Sequence, residues 1–219
     1  MKPVRFVAIA SLLVSLLCGT CFSADVTGRA FMCTSAGTMF YLANDQMNGS
    51  KIPVDGRLIS SGVKPRLYGN VGFGYVFKPY LAGLVNIGYG WEAYNFDKLR
   101  VTTASPATVG LEYRLGTRKY VPKAGVGVGY YVWSVLEDRK VMRDVITLKQ
   151  LKRGDAGGYV MAGIDYFARP NLSINFDVAG HYIFSKDLKD FPSGYAYDDN
   201  LLVLKLGLRY YFPTHMEGS

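Results

Sequence analysis

A two-residue rhythm runs through most of this chain, with apolar side chains at one parity and small, polar or charged ones at the other. In residues 67–77 the odd positions Leu67, Val71, Phe73, Tyr75 and Phe77 oppose Tyr68, Asn70, Gly72 and Gly74. Successive side chains of an extended strand point to opposite faces, so a sustained period of two predicts a strand with one dry and one wet side. The rhythm returns at 81–93, 107–115, 123–132, 159–166, 172–184 and 202–212, giving seven strands. In the last, Leu202, Leu204, Leu206, Leu208, Tyr210 and Phe212 oppose Lys205, Gly207 and Arg209. An eighth strand is expected within 28–42, where Ala30, Met32, Phe40 and Leu42 share a side; its alternation is poor and its register stays open.

A soluble sandwich alternates too, so the deciding matter is which face is the core. On the seven clear strands the apolar parity carries no Asp, Glu, Lys or Arg. The other parity carries Glu92, Glu112, Arg114, Lys123, Asp165, Asp177, Lys205 and Arg209, four acids and four bases, together with His181. Lys or Arg on the outer face of a spanning barrel costs roughly 2–4 kcal/mol at mid-membrane, whereas a lumen pairs them. A soluble barrel would place its charges outside. Register is assigned partly by polarity, so the more independent check comes from Glu112 with Arg114, and Lys205 with Arg209, which put two charges on one face of one strand.

Aromatic residues sit at the strand ends. Phe77, Tyr113, Tyr166, Tyr210 and Phe212 fall beside short links, and Trp91, Tyr182 and Phe184 at the opposite ends, with mainly Val, Ile and Leu between them. Amphipathic rings favour the headgroup level, so two girdles are expected. Short links at 78–79, 116–120 and 168–171 alternate with long ones at 44–63, 95–105, 136–155 and 185–199. That alternation predicts periplasmic turns and extracellular loops, and an open sheet edge cannot exist in lipid. The expected fold is all-β: an eight-stranded antiparallel up-and-down transmembrane barrel.

The N-terminus reads as an export signal. Lys2 and Arg5 precede an apolar run at 6–17 that is too short for a spanning helix, with cleavage expected near Ser23 or Ala24. Residues 1–24 are therefore assigned to a signal peptide, and 25–219 to one barrel domain with a short tail at 213–219. Only Cys33 remains after cleavage, which excludes an internal disulfide. Of the net charge of +8, Lys2 and Arg5 leave with the signal, so the mature chain carries about +6. With export, that excess points to anionic membrane surfaces and away from nucleic acid.

The segment Ala124-Gly125-Val126-Gly127-Val128-Gly129-Tyr130-Tyr131, with Ala162-Gly163-Ile164-Asp165-Tyr166-Phe167 and Asn171-Leu172-Ser173-Ile174-Asn175-Phe176-Asp177-Val178, resembles the OmpW-type outer-membrane barrels. It also resembles the wider small-barrel group that includes the OmpA transmembrane domain. The resemblance covers 123–212 and implies a barrel in the cell outer membrane. Leu206-Gly207-Leu208-Arg209-Tyr210-Tyr211-Phe212 is similar to the terminal strand read by the barrel-assembly machinery. Two departures stand out: residues 213–219 follow Phe212 where the family usually ends, and the bore is charged where OmpW-type bores are apolar.

Catalysis is not expected. His181 and His215 are the two histidines; His181 faces the lumen, and Ile183 stands where lipid A deacylase barrels carry serine. Metal ligands and cofactor motifs do not rise above chance. The expectation is a monomeric structural or surface-interaction barrel with a polar, plugged lumen, in which Glu112 pairs with Lys123 and Asp177 with Lys205. A small gated pore for small or hydrophobic solutes is the alternative, and a soluble lipocalin-like carrier a third. Outer-membrane lipid is the expected surrounding. Lipopolysaccharide is the expected partner of the stretch 136–155, which holds Arg139, Lys140, Arg143, Lys149, Lys152 and Arg153 against four acids.

Overall fold

The computed structural model describes residues 25–42, 52–54, 57–59, 66–95, 100–137, 139–184 and 199–213. At 41, 52–54, 57–59, 91–95, 100–103, 137 and 199 the description is of backbone alone. The predicted export signal, the tail beyond Pro213 with His215, and most of the links 44–63 and 185–199 lie outside the described residues.

Eight strands form the wall: β1 (Ala30–Tyr41), β4 (Arg66–Lys78), β5 (Leu81–Asn95), β6 (Arg100–Arg114), β7 (Tyr120–Glu137), β9 (Lys152–Arg169), β10 (Leu172–Ile183) and β11 (Asp199–Tyr211). Three short strands, β2 (Ile52–Val54), β3 (Arg57–Ile59) and β8 (Lys140–Val141), accompany them. Each wall strand pairs antiparallel with its neighbours, and the first meets the last, Phe31 facing Tyr211 and Tyr41 facing Leu201. The sheet is closed.

The register resolves the face question. Val128 is 63% exposed, Ile87 67% and Leu206 59%, whereas Arg209 is 2% exposed and Glu112 0%. Apolar residues line the outside and ionic ones the bore, the reverse of a soluble barrel. The poorly patterned first strand follows suit: Met32 and Leu42 point out, and Phe31, Cys33 and Met39 point in.

Three tight links share one end of the barrel. Pro79-Tyr80 and Pro170-Asn171 join their strands in two residues, and proline presets the φ that a first turn position needs. The longer link from Leu115 to Lys119 turns at Gly116, whose φ of 109° favours glycine.

At the opposite end two expectations require correction. The link placed at 95–105 is short, because β5 runs to Asn95 and β6 begins at Arg100. The stretch 136–155 is not a plain loop: β7 continues to Glu137, β8 pairs Val141 with Leu136, Arg143 bridges Gln150, and β9 starts at Lys152. Towards the loop end Tyr131, Trp133 and Val135 are still buried, but apolar residues fall at both parities (Val132, Trp133, Val135, Leu136), so the contrast between faces fades while β-branched and aromatic residues keep the chain extended. Short and long links therefore do not alternate strictly.

The outward face predicts a mutational asymmetry. Val128→Arg, which puts a cation on the mid-wall, should destabilise the barrel by about 2–4 kcal/mol in urea unfolding from phospholipid vesicles. The outward swap Val128→Leu should leave the midpoint nearly unchanged.

Candidate functional site

Inward residues fill the bore in three tiers. Nearest the turns, Phe31, Val76, Ala82, Val121, Phe167 and Tyr211 form an apolar layer. Arg114 lies buried beside it, its guanidinium 5.7 Å from the rings of both Phe167 and Tyr211. These distances suit a cation–π contact. Towards the loops, Met39, Tyr68, Tyr131, Trp133, Tyr159 and Leu201 make a second apolar layer.

Between them sits an ionic tier. Arg209 binds Glu112 through two parallel bonds, Nη1 to Oε1 at 2.7 Å and Nη2 to Oε2 at 3.0 Å. Its Nη1 also donates to Asp165 Oδ2 at 3.3 Å, and its guanidinium lies 4.5 Å from the Phe31 ring centre. β11 and β6 stand on opposite sides of the ring, so the Arg209–Glu112 pair crosses the full bore. Lys123 Nζ lies 2.8 Å from Asp165 Oδ1, 2.9 Å from Asp177 Oδ1 and 3.8 Å from Glu112 Oε2. Lys205 Nζ lies 3.7 Å from Asp177 Oδ2, which also accepts from Asn175 at 3.0 Å.

Three carboxylates thus face three cations, and the tier is formally neutral. The Glu112–Lys123 and Asp177–Lys205 proximities are present, but the shorter contacts run from Lys123 to Asp165 and Asp177, and from Arg209 to Glu112. Sequence reading missed Arg209–Glu112 because strand adjacency says nothing about contacts across a bore, and Lys123–Asp165 because the register of β7 on β9 is set only by pairing. Glu92 and Trp91 lie where backbone alone is described.

Glycines make the space. A Cβ on Gly163 would run into Asp177 Oδ1 and lie 3.1 Å from Lys123 Cε, so a larger residue would displace that pair. Gly110 and Gly127 likewise receive the ring of Tyr159. On the far side of the bore a polar ladder continues the tier. Ser35 donates to Asn70, Asn70 donates to Asn86 at 3.3 Å, and the Cys33 thiol donates to Asn86 at 3.6 Å.

His181 belongs to the loop-side layer. Its Nδ1 is 2.9 Å from the Tyr131 hydroxyl, and the Tyr131 and Tyr159 rings pack against it. That is a packed, hydrogen-bonded histidine inside the bore, with no serine or carboxylate bonded to it among the described contacts. No group of three or more His, Cys, Asp or Glu suited to a metal occurs among the described residues.

The outward aromatics cluster at the rims. Tyr75 and Phe77, Tyr80 and Tyr113, Tyr120 and Tyr166, and Tyr210 and Phe212 pair at the turn end, with centroids 5.1–5.8 Å apart. Tyr182 and Phe184 pair at 5.2 Å near the loop end.

Above that rim the segment after β7 forms a small built hairpin. Asp144 is buried and its Oδ1 accepts from the backbone of Ile146 and Thr147 at 2.9 and 3.0 Å. Leu148 adopts φ 58° and donates to the Asp144 carbonyl at 2.9 Å. Met142 and Leu151 anchor the hairpin on the loop-side layer. Asp155 is also buried, bonded by Trp133 Nε1 at 3.2 Å and Arg153 Nε at 2.7 Å. With both acids turned inward, the exposed charges described here are basic: Arg139, Lys140, Arg143, Lys149 and Lys152. Val145, Ile146 and Leu148 stand among them, 80%, 65% and 65% exposed.

A closed eight-stranded ring with an aliphatic outer wall, aromatic rims and a filled ionic bore is the architecture of the small outer-membrane β-barrels, and this chain has that fold. Among solved structures it is similar to Neisserial surface protein A (NspA), with a TM-score of 0.55 at 13% identity over 84% of this chain and 97% of that one. It is also similar to Ail, the attachment invasion locus protein of Yersinia pestis, in a complex with the heparin analogue sucrose octasulfate. There the TM-score is 0.51 at 14% identity, over 85% of this chain and 99% of that one. No protein-family model matches the sequence, and no curated protein matches it. At such identities the likeness is one of fold.

Removing one member of the ionic tier should be costly. Arg209→Met strands Glu112, and the expected loss is about 3–5 kcal/mol in urea unfolding from vesicles. The double replacement Arg209→Met with Glu112→Leu should recover much of that loss.

Proposed function

We propose that this protein is a surface-interaction barrel: a closed wall that carries no open channel and presents the basic hairpin of 139–153 to anionic groups at the cell surface. The observation that carries the reading is the Arg209–Glu112 pair. It joins opposite walls at 2.7 and 3.0 Å with Lys123 and Asp165 packed against it. An eight-stranded bore is just wide enough for side chains to fill, and here they fill it.

The hairpin supplies the interaction. Among the described side chains, the acids Asp144 and Asp155 are held by the hairpin's own turn and by Trp133 and Arg153, and Arg139, Lys140, Arg143, Lys149 and Lys152 are exposed beside an apolar tip. Phosphates of outer-leaflet lipopolysaccharide are the ligand this chemistry fits, through charge-assisted bonds. That Ail was solved with a sulfated heparin analogue supports polyanion recognition on this fold as a chemical precedent. No catalytic role is assigned.

One feature favours a gated pore as the second reading. Lys123 and Arg209 share the same two carboxylates, Glu112 and Asp165, so two pairings compete across one section of the bore. Planar-bilayer recording of the refolded barrel separates the readings. Silence is expected from the natural sequence and from Lys205→Leu alike; steady channel openings in the natural protein would establish the pore instead. Replacing Arg139, Lys140, Arg143, Lys149 and Lys152 by Gln should lower lipopolysaccharide retained through detergent extraction several-fold, and unchanged retention would remove the surface reading.

A further inference from the structure

The outer wall is not smooth. Between β9, β10 and β11 a groove of about 600 Å³ opens towards the lipid, flanked by Leu42, Val160, Tyr182 and Leu202 and floored by Gly158 and Gly180. Both glycines fall at the outward parity: Gly158 pairs with Tyr182, and Gly180 with Val160 and Leu202. The missing side chains make the dent.

Packing within the protein does not demand glycine at either place. A Cβ on Gly158 would meet nothing closer than the Gly127 carbonyl at 3.4 Å, and one on Gly180 nothing closer than Val160 Cγ2 at 4.0 Å. These are ordinary contacts, unlike the inward glycines beside Tyr159 or Asp177. The groove lies below the loop-side rim, with Gly158 paired to Tyr182 on one side and to Val128 on the other.

We propose that this groove seats one acyl chain of a lipopolysaccharide molecule whose phosphate is held by the basic hairpin above. The inference rests on the surface reading given under Proposed function and specifies its geometry. Continuity argues for an acyl chain, since the groove is part of the lipid-facing wall and its flanks are mainly apolar: Leu42, Val160, Leu202 and the Tyr182 ring, with Asn200 beside them. Charge argues for an anionic lipid in particular. Lys152 is exposed at the same parity of β9 as Gly158, six residues further towards the loops, roughly 20 Å along the strand at 3.3 Å per residue. A headgroup phosphate at Lys152 and a tail reaching Gly158 and Gly180 therefore follow one strand down the wall.

The test uses the full mature barrel refolded in phosphatidylcholine vesicles doped with lipopolysaccharide bearing its lipid A phosphates. Lipid retained per barrel after detergent extraction is read by native mass spectrometry. One molecule is expected on the natural protein. Gly158→Leu with Gly180→Leu fills the groove and should lower retention about tenfold, the equivalent of roughly two buried methylene groups. Gly69→Leu is the control: it is an outward glycine elsewhere on the wall, with no contact closer than 3.8 Å for an added Cβ, and should leave retention unchanged.

Full retention by the filled-groove variant overturns the proposal. If Lys152→Gln and Arg143→Gln still lose lipid in that case, the headgroup contact survives and only the acyl seat falls; if they keep it, both readings fall. Equal retention of phosphatidylglycerol overturns the assignment to lipopolysaccharide. Disulfide-linked dimers of Gly180→Cys on a Cys33→Ser background would give the groove to a second copy instead.

Discussion

No backbone N–H or C=O can be left unpaired in hydrocarbon, and the rest of this molecule follows from that demand. The pairing of β1 with β11 answers it by removing the last two edges. Closure with eight strands then fixes a narrow bore, so every inward side chain has to fit against those of the opposite wall. Large and small residues consequently alternate across it: Tyr159 lies over Gly110 and Gly127, and the Lys123–Asp177 contact over Gly163. The composition of the inner parity, rich in glycine, tyrosine and paired charge, is a packing solution before it is a chemical one.

The six charges of the ionic tier carry a large desolvation cost, which close geometry and the tier's neutrality offset. The bidentate Arg209–Glu112 arrangement and the Lys123 contacts to two carboxylates meet both conditions. The charges also fix register. A one-residue slip of a strand exchanges its two faces. Slipping β11 would carry Lys205 and Arg209 into lipid at roughly 2–4 kcal/mol each near the membrane centre, while stranding Glu112, Asp165 and Asp177 inside. The ionic tier thus penalises misregistered closure whatever its net effect on stability.

How much of this could be read in advance depended on whether a signal was local. The wall was legible because alternation is a property of one strand at a time, and Leu206, Arg209 and Val128 fall on the sides their parity assigns. The first strand was faint because Thr34, Ser35, Ala36, Gly37 and Thr38 give little contrast between faces; only pairing with β4 and β11 fixes it. The short connection after Asn95 and the folded hairpin beyond Glu137 were invisible for a related reason, since residues 101–105 and 132–136 give little polarity contrast between the two parities. The lumenal charges were visible individually, but not their partners. Glu112 and Arg209 are 97 residues apart and meet only across the closed ring. The aromatic layers of Phe31, Phe167 and Tyr211 went unnoticed, although the parity of Asp165 and Arg209 extends to Phe167 and Tyr211 two residues on.

The order of the tiers bears on what such a barrel can do. If the ionic layer were the sole obstruction, exchanging partners among Glu112, Asp165, Lys123 and Arg209 would be enough to open a water path. It is not the sole obstruction. On the turn side Val76, Val121, Phe167 and Tyr211 are fully buried, and on the loop side Met39, Tyr131 and Val135 are as well. These apolar layers hold their place through contact area and are indifferent to which carboxylate a given cation meets. A path through the bore would require rearranging packed rings at two levels together with the ion pairs between them. Interiors packed in this way resist such change. Interaction at the loop end and along the outer wall requires no such rearrangement, because the exposed bases and the groove beside Gly158 and Gly180 already face outward.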